Sequence, residues 1–200
     1  MYIARILYPV EVLGPGKRIG IWFCGCSHGC IGCSNPELWQ RQEKYKINLE
    51  DLLALIRQIS DANLVDGFTI TGGDPMEQSE ELSILLKNIK AISDDILVYT
   101  GFEIEELTEG QLENISVLID GKYKEELNDN SLLRGSSNQR IHILDEKHRG
   151  KYEKYLQTAT NQIQNFNTGD GIVSVGIHRR DFIRRDNVGK QRIIKKDRSS

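Results

Sequence analysis

The sequence predicts an α/β fold on a mostly parallel sheet, closing into a partial, open (β/α) barrel. Three observations carry that expectation. Short aliphatic runs recur at Ile19–Phe23, Gly67–Thr71, Ile96–Thr100 and Ile115–Asp120. Between the first three lie stretches whose apolar residues return at helical spacing, and strand–helix alternation predicts parallel pairing with right-handed crossovers. The chain has 200 residues, enough for one domain with a sizeable core but too few for an eight-fold barrel, which needs about 250.

Taken in order, Ile3–Val12 reads as an initial strand or hairpin arm, and Gly14-Pro15-Gly16 as a turn. Ile19–Phe23 is the first core strand, and a cysteine-rich loop follows it. Asn48 is a suitable N-cap, and Glu50 and Asp51 favour the positive end of a helix. Leu49, Leu52, Leu53, Ile56 and Ile59 then mark one helical face, as Leu82, Leu85, Leu86, Ile89 and Ile92 mark a second. Residues 103–114 read as short helical pieces. Arg134–Arg140 is a polar loop, Ile141–Leu144 a fifth strand, and Lys147–Gln164 a helix. Ile172, Val173, Val175 and Ile177 suggest a final strand.

Hydrophobic residues make up 38% of the chain and charged residues 28%, the balance of a soluble globular protein. The Met1–Val12 segment is short and broken by Arg5 and Glu11, so it reads as neither signal peptide nor membrane span. Clustered reduced cysteines without an export signal imply the cytoplasm. The net charge of −3 conceals an asymmetry: residues 179–200 carry nine Lys or Arg against three Asp, so the remainder stands at −9. The chain therefore divides into a domain over 1–178 and a basic tail over 179–200, expected as a mobile docking segment. A nucleic-acid role for the tail is disfavoured, because the acidic body would repel phosphate.

All four cysteines, Cys24, Cys26, Cys30 and Cys33, lie within Trp22–Pro36. Cys26, Cys30 and Cys33 have the spacing C-x3-C-x2-C, with glycines between them that let the backbone fold tightly. Three thiolates suit an iron–sulfur cluster. In a four-iron cubane they leave one iron open, as a catalytic metal site requires. A zinc site with Cys24 as fourth ligand is the competing reading, but zinc cysteines usually come as two separated pairs. Cys24 by default is a small buried apolar residue. Further candidates end strands, where parallel α/β sheets bind ligands: Thr71-Gly72-Gly73-Asp74-Pro75, Tyr99-Thr100-Gly101 and Asp120-Gly121. Asp74 and Pro75 also fit an ordinary turn, as N-cap and first helical residue. Tyr99 also fits the core. His28 sits inside the loop, either assisting there or simply exposed. His142, His148 and His178 read as surface residues.

The cysteine spacing at the end of the first core strand resembles that of the radical S-adenosylmethionine (SAM) enzymes. The flanks Gly14-Pro15-Gly16-Lys17-Arg18 and Asn35-Pro36-Glu37-Leu38-Trp39 narrow the resemblance to the glycyl-radical-enzyme activases. They point to the branch acting on anaerobic (class III) ribonucleoside-triphosphate reductase. The resemblance spans residues 1–145. It implies the partial barrel of the radical SAM type, a 4Fe-4S cluster on Cys26, Cys30 and Cys33, and SAM on the open iron. It implies that the Thr71–Pro75 backbone grips the methionine amino group. Arg134, Gly135, Ser136, Asn138 and Gln139 look like the family's Arg-Gly-Ser-x-Asn-Gln segment, whose small and amide side chains could hydrogen-bond the SAM sugar or carboxylate. Many of these enzymes place an aromatic residue before the third cysteine, where this chain has Gly32.

The activity so implied is that of a radical SAM oxidoreductase. One electron would cleave SAM to methionine and a 5′-deoxyadenosyl radical, which takes a hydrogen atom from a glycine of the partner reductase. Only Cys24 remains beyond the three ligands, so a single cluster and an external flavodoxin- or ferredoxin-type donor are expected. A radical SAM enzyme acting on a small molecule is the alternative. The chain shows no added domain to enclose such a substrate, whereas small-molecule sites bury most of their ligand.

Overall fold

The computed structural model describes residues 1–169 and 171–179. Its centre is a six-stranded sheet in the order β1 (Ile3–Val10), β2 (Arg18–Phe23), β3 (Gly67–Gly72), β4 (Ile96–Tyr99), β5 (Val117–Asp120) and β6 (Arg140–Ile143). The strands β2 to β5 pair in parallel. Both edges are antiparallel. The turn at Gly14–Gly16 folds β1 back on β2 as a hairpin. At the other edge, the stretch from Asp120 to Arg140 contains only a 3-10 turn at Glu125–Leu127. With no crossover helix to carry the chain back, β6 returns alongside β5 in the opposite sense.

Helix α1 (Leu49–Ala62) connects β2 to β3, and α2 (Ser79–Ile89) connects β3 to β4. Asn48 caps α1: its side chain accepts the Asp51 N–H at 2.8 Å. Leu52 and Ile56 of α1 and Leu82, Leu85, Leu86 and Ile89 of α2 pack on Ile19, Ile21, Phe23, Phe68, Ile70, Ile96 and Val98, on one face of the sheet. Each side chain so buried contributes about 1.5–3 kcal/mol. The one-turn helix α3 (Glu109–Leu112) leads into β5.

The opposite face carries Trp22, Leu97, Val117 and Ile119. It is covered by the last described part of the chain. Sequence periodicity predicts one helix over Lys147–Gln164, but the structure divides that stretch. Helix α4 (Arg149–Thr158) is shorter, and β7 (Gln164–Thr168) pairs with β8 (Gly171–Val175) in a separate antiparallel hairpin. Tyr152 of α4 packs with Leu97, Val117 and Ile119, while Val175 joins Val10 and Trp22. His148, expected at the surface, is buried ahead of α4, with Nε2 3.3 Å from Asp94. Most of the basic tail lies outside the described residues.

The end of the sheet opposite the cysteine loop is tied by Arg18, which is fully buried. Its guanidinium donates to Thr69 Oγ1, to the carbonyls of Pro15, Phe68 and Asp95, and to the Asp95 carboxylate at 3.0 Å. Tyr152 and Lys151 donate to the same carboxylate. Burial pushes the Asp95 carboxyl up, but Arg18, Lys151 and Tyr152 together hold it below the ordinary range. The Gly-Pro-Gly-Lys-Arg segment is thus a structural clasp, remote from the cysteines along the strands.

Candidate functional site

At the end of β2 the chain turns into the cysteine loop, and its base is pinned on both sides. Cys24 N–H donates to Tyr2 O at 2.9 Å; Gly25 and Cys26 donate to Leu38 and Trp39, each at 2.8 Å. The Asn35–Trp39 flank therefore returns the chain against the loop, with Leu38 buried beneath it. Cys24 is fully buried, and its thiol donates to Gln40 O at 3.0 Å. Cys26, Cys30 and Cys33 are free and only partly buried, and Ile31 between them is 80% exposed.

The Thr71–Pro75 segment meets this loop directly. Gly73 N–H donates to Phe23 O at 2.8 Å, and Asp74 N–H donates to Gly25 O at 2.7 Å. Gly72 has φ +113°, and a Cβ there would lie 2.3 Å from Phe23 O; at Gly73 it would lie 2.3 Å from Gly25 O. The close approach that these glycines permit is that of the cysteine loop's own backbone. Pro75 starts a 3-10 turn that Asp74 caps through Met76 N–H.

The Asp74 carboxylate is almost wholly buried and does more than cap. It accepts from Thr100 Oγ1 at 2.9 Å and from Gly101 N–H at 2.7 Å, both at the end of β4. It also meets His28 Nε2 at 2.8 Å. Because a carboxylate only accepts, that ring nitrogen carries the hydrogen. The His28 ring stands edge-on to Phe102 at 4.7 Å. One side chain thus joins the ends of three strands. Tyr99 sits between the two clusters on the second face of the sheet, its buried hydroxyl without a hydrogen-bond partner among the described residues.

The loop after β5 forms the other wall. The Tyr123 backbone N–H points at the Cys30 sulfur, with Lys122 nearby. The Glu125 side chain lies where a side chain on Gly32 would stand, 2.8 Å from that ideal Cβ. The polar loop folds onto this segment: Ser136 Oγ accepts from Lys124 N–H, Asn138 Nδ2 donates to Lys122 O at 2.9 Å, and Gln139 Nε2 donates to Gly121 O at 2.8 Å. Gly135 N–H donates back to Gln139, and Arg134 pairs with Asp129. The Asn138 Oδ1 is buried without a partner among the described residues. Asp120, by contrast, is taken up by its own chain. It accepts from Ile104 N–H and from Arg140, which also forks onto Glu105. His142, expected at the surface, stands 3.1 Å from the same carboxylate.

Burial pushes the Cys26 thiol up to about 11, with Asp74, Glu77 and Cys33 adding to the rise and the His28 backbone N–H opposing it. Cys30 is raised chiefly by burial and by Cys33, against the Tyr123 N–H and Lys122. Bare, these thiols hold their protons. A metal that binds them must displace those protons. Among the described residues, no three His, Cys, Asp or Glu side chains sit close enough together to hold a single ion. A cubane needs no such convergence, since its cysteines bind different irons. Three accessible thiols on one glycine-rich loop fit a cluster with an open iron. The buried Cys24 thiol, bonded to Gln40 O, is poorly placed to be a fourth ligand to zinc.

Residues 12–142 match the 4Fe-4S single cluster domain family. Curated relatives named anaerobic ribonucleoside-triphosphate reductase-activating protein come from phage T4, Escherichia coli K12 and Vibrio cholerae. They are 36%, 36% and 35% identical to this chain; each alignment covers 68% of it and 90%, 96% and 94% of the relative. The chain belongs to this family of activating proteins.

The family match runs over residues 12–142, so it contains every candidate site residue and strands β2 to β5, with β1 before it and the end of β6 beyond it. Helix α4 and the β7–β8 hairpin lie beyond it. Sequence reasoning left the contributions of His28, Tyr123 and Glu125 unassigned. Only the position of His28 within the cysteine spacing offered a signal. No helix among the described residues is long and apolar enough to cross a membrane.

Proposed function

We propose that this chain is a radical SAM activase. It would hold a 4Fe-4S cluster on Cys26, Cys30 and Cys33, bind SAM beside it, and generate a glycyl radical on an anaerobic ribonucleotide reductase. The observation carrying the reading is the knitting of the C-x3-C-x2-C loop to the Thr71–Pro75 backbone at the carboxyl ends of parallel strands. The names of the relatives supply the reductase as partner. When bound, the cluster and SAM would supply one-electron cleavage of the sulfonium and a 5′-deoxyadenosyl radical able to take hydrogen from a glycine Cα. A flavodoxin- or ferredoxin-type protein would deliver the electron.

The chain's own residues bind and orient. Asp74 keeps the cysteine loop, the β3 end and the β4 end in one arrangement, and its filled carboxylate leaves the neighbouring backbone to face a ligand. The loops after β5 wall the opposite side, where Asn138 Oδ1 is an acceptor with no partner among the described residues. The partner's glycine loop would complete the pocket and exclude water. The four parallel strands with their helices support placing the sheet in the partial-barrel class, and the clustered reduced thiols support a cytoplasmic site of action. The test is isotopic. Anaerobic reductase deuterated at glycine Cα, mixed with this protein, SAM and reductant, should yield deuterated 5′-deoxyadenosine and a glycyl radical signal. Efficient SAM cleavage with neither product would refute the reading.

A further inference from the structure

We propose that His28 is a positioning residue for the cluster: its bond to Asp74 sets the orientation of the Cys26–Cys30 span against the ends of β3 and β4. The inference rests on the reading above only in taking the three cysteines as cluster ligands.

Between the first two cysteines lie Ser27, His28 and Gly29. Ser27 and Gly29 are exposed, whereas the His28 side chain is 6% exposed. It is therefore the side chain by which this span enters the protein. Inside, three independent contacts fix it. Nε2 is 2.8 Å from Asp74 Oδ2. The ring stands edge-on to Phe102. A Cβ on Gly101 would lie only 2.4 Å from His28 Cδ2, so the imidazole seats against a position where only glycine leaves room. Asp74 is itself immobilised by Met76 N–H, Thr100 Oγ1 and Gly101 N–H. A side chain so held acts as a strut. The backbone it carries also donates toward Cys26 from the His28 N–H, so moving the ring moves a ligand and one of that ligand's donors together. Partners one shell out from a metal commonly matter this much.

The experiment uses the full-length protein, with His28→Ala and His28→Gln beside wild type. Each is reconstituted anaerobically with iron and sulfide. Iron retention is measured against a chelator, the EPR spectrum of the reduced protein is recorded with and without SAM, and the thermal midpoint of the apo-protein reports folding. His28→Ala should fold yet lose iron about 10- to 100-fold more readily. The cluster it keeps should show a weakened spectral response to SAM. His28→Gln, whose amide N–H can reach the same carboxylate, should recover most of both properties. Wild-type iron retention and SAM response in His28→Ala would overturn the proposal, as would equal impairment of both variants. If His28→Ala does not fold, His28→Gln decides: wild-type iron and SAM response supports the bond, and loss of either overturns it. None of these readouts requires the reductase, so failure of the activase reading would show separately, as a sound cluster without a glycyl radical.

Discussion

Replacing Gly73 with alanine should detach the cysteine loop from the sheet without unfolding the protein. Gly73 is not among the glycines with positive φ, so the effect is steric rather than a matter of left-handed backbone. An added Cβ would lie 2.3 Å from Gly25 O, 2.8 Å from Gly25 C and 2.9 Å from Gly25 N. All three are backbone atoms, so no rotamer change relieves the clash. Ordinary contact begins at 3.4 Å, so the two segments must part by about 1 Å, a separation typical of overpacking that costs 1–3 kcal/mol. That shift would break the 2.7 Å bond from Asp74 N–H to Gly25 O, which costs about 1–3 kcal/mol if the donor stays buried. Because both penalties are relieved by one movement, about 2 kcal/mol is expected in total. For a chain of this size that lowers Tm by about 4–8 °C, well inside the ordinary margin of stability. Thermal unfolding of the apo-protein and iron content after anaerobic reconstitution provide the assay. A Gly73→Ala protein with a modest Tm loss and sharply reduced iron is expected. A variant with wild-type Tm and full iron would refute the argument that these backbones are locked together.

Three further outcomes follow from the same geometry. Alanine at Cys26, Cys30 or Cys33 should abolish iron binding, whereas Cys24→Ala should retain it at the cost of about 1–2 kcal/mol for the lost thiol packing and hydrogen bond; equal iron loss at Cys24 would contradict this. Iron analysis should give about four irons per monomer, since three accessible cysteines serve one cubane, and a value near eight would be incompatible with the loop described. Asp95→Asn should destabilise the fold by about 3–5 kcal/mol at pH 7, because it strands the Arg18 charge in the core. The Asp95 carboxyl is held below its ordinary range in the folded state. Its contribution is thus present above the unfolded value of about 3.9 and lost as pH falls through the lower folded value. Denaturation curves carried from pH 7 to well below the unfolded value of about 3.9 should show a steady gap between wild type and Asp95→Asn above that value and a narrowing gap below it, and a gap that stays constant throughout would disprove the linkage.

What could be read in advance was local chemistry. The Asn48 cap and the glycine-punctuated strand ends need no knowledge of the rest of the chain, and both stand in the structure. The cysteines announce themselves by spacing. Long-range polar pairing was invisible. His28 meets Asp74 across 46 residues and Arg18 meets Asp95 across 77, and nothing near either pair marks its partner. Asp120 and Gln139 look alike as polar residues near a site, yet one is consumed by Arg140 and the other staples its own loop. The segment Gln-Asn-Phe-Asn-Thr of β7 has one apolar residue, too few for a strand signature. It is a strand because β8 pairs with it and Phe166 lands on the Val10 and Trp22 cluster. Its tertiary setting overrides its weak propensity.

The covering of one sheet face by α4 and the β7–β8 hairpin sets an order of events during synthesis. The cysteine loop leaves the ribosome early, while Val175, which helps close the face over Trp22, is made 142 residues after Cys33. At 5–20 residues per second, that interval is roughly 7–28 s. Late in it, once β5 has been made, Trp22, Leu97, Val117 and Ile119 have a sheet to belong to but no complete roof. A nascent chain in this condition presents an apolar surface to chaperones and to neighbouring chains on the same message. Delivering iron and sulfide to the completed protein, after the hairpin has closed, avoids loading a cluster onto a fold that still has one side bare.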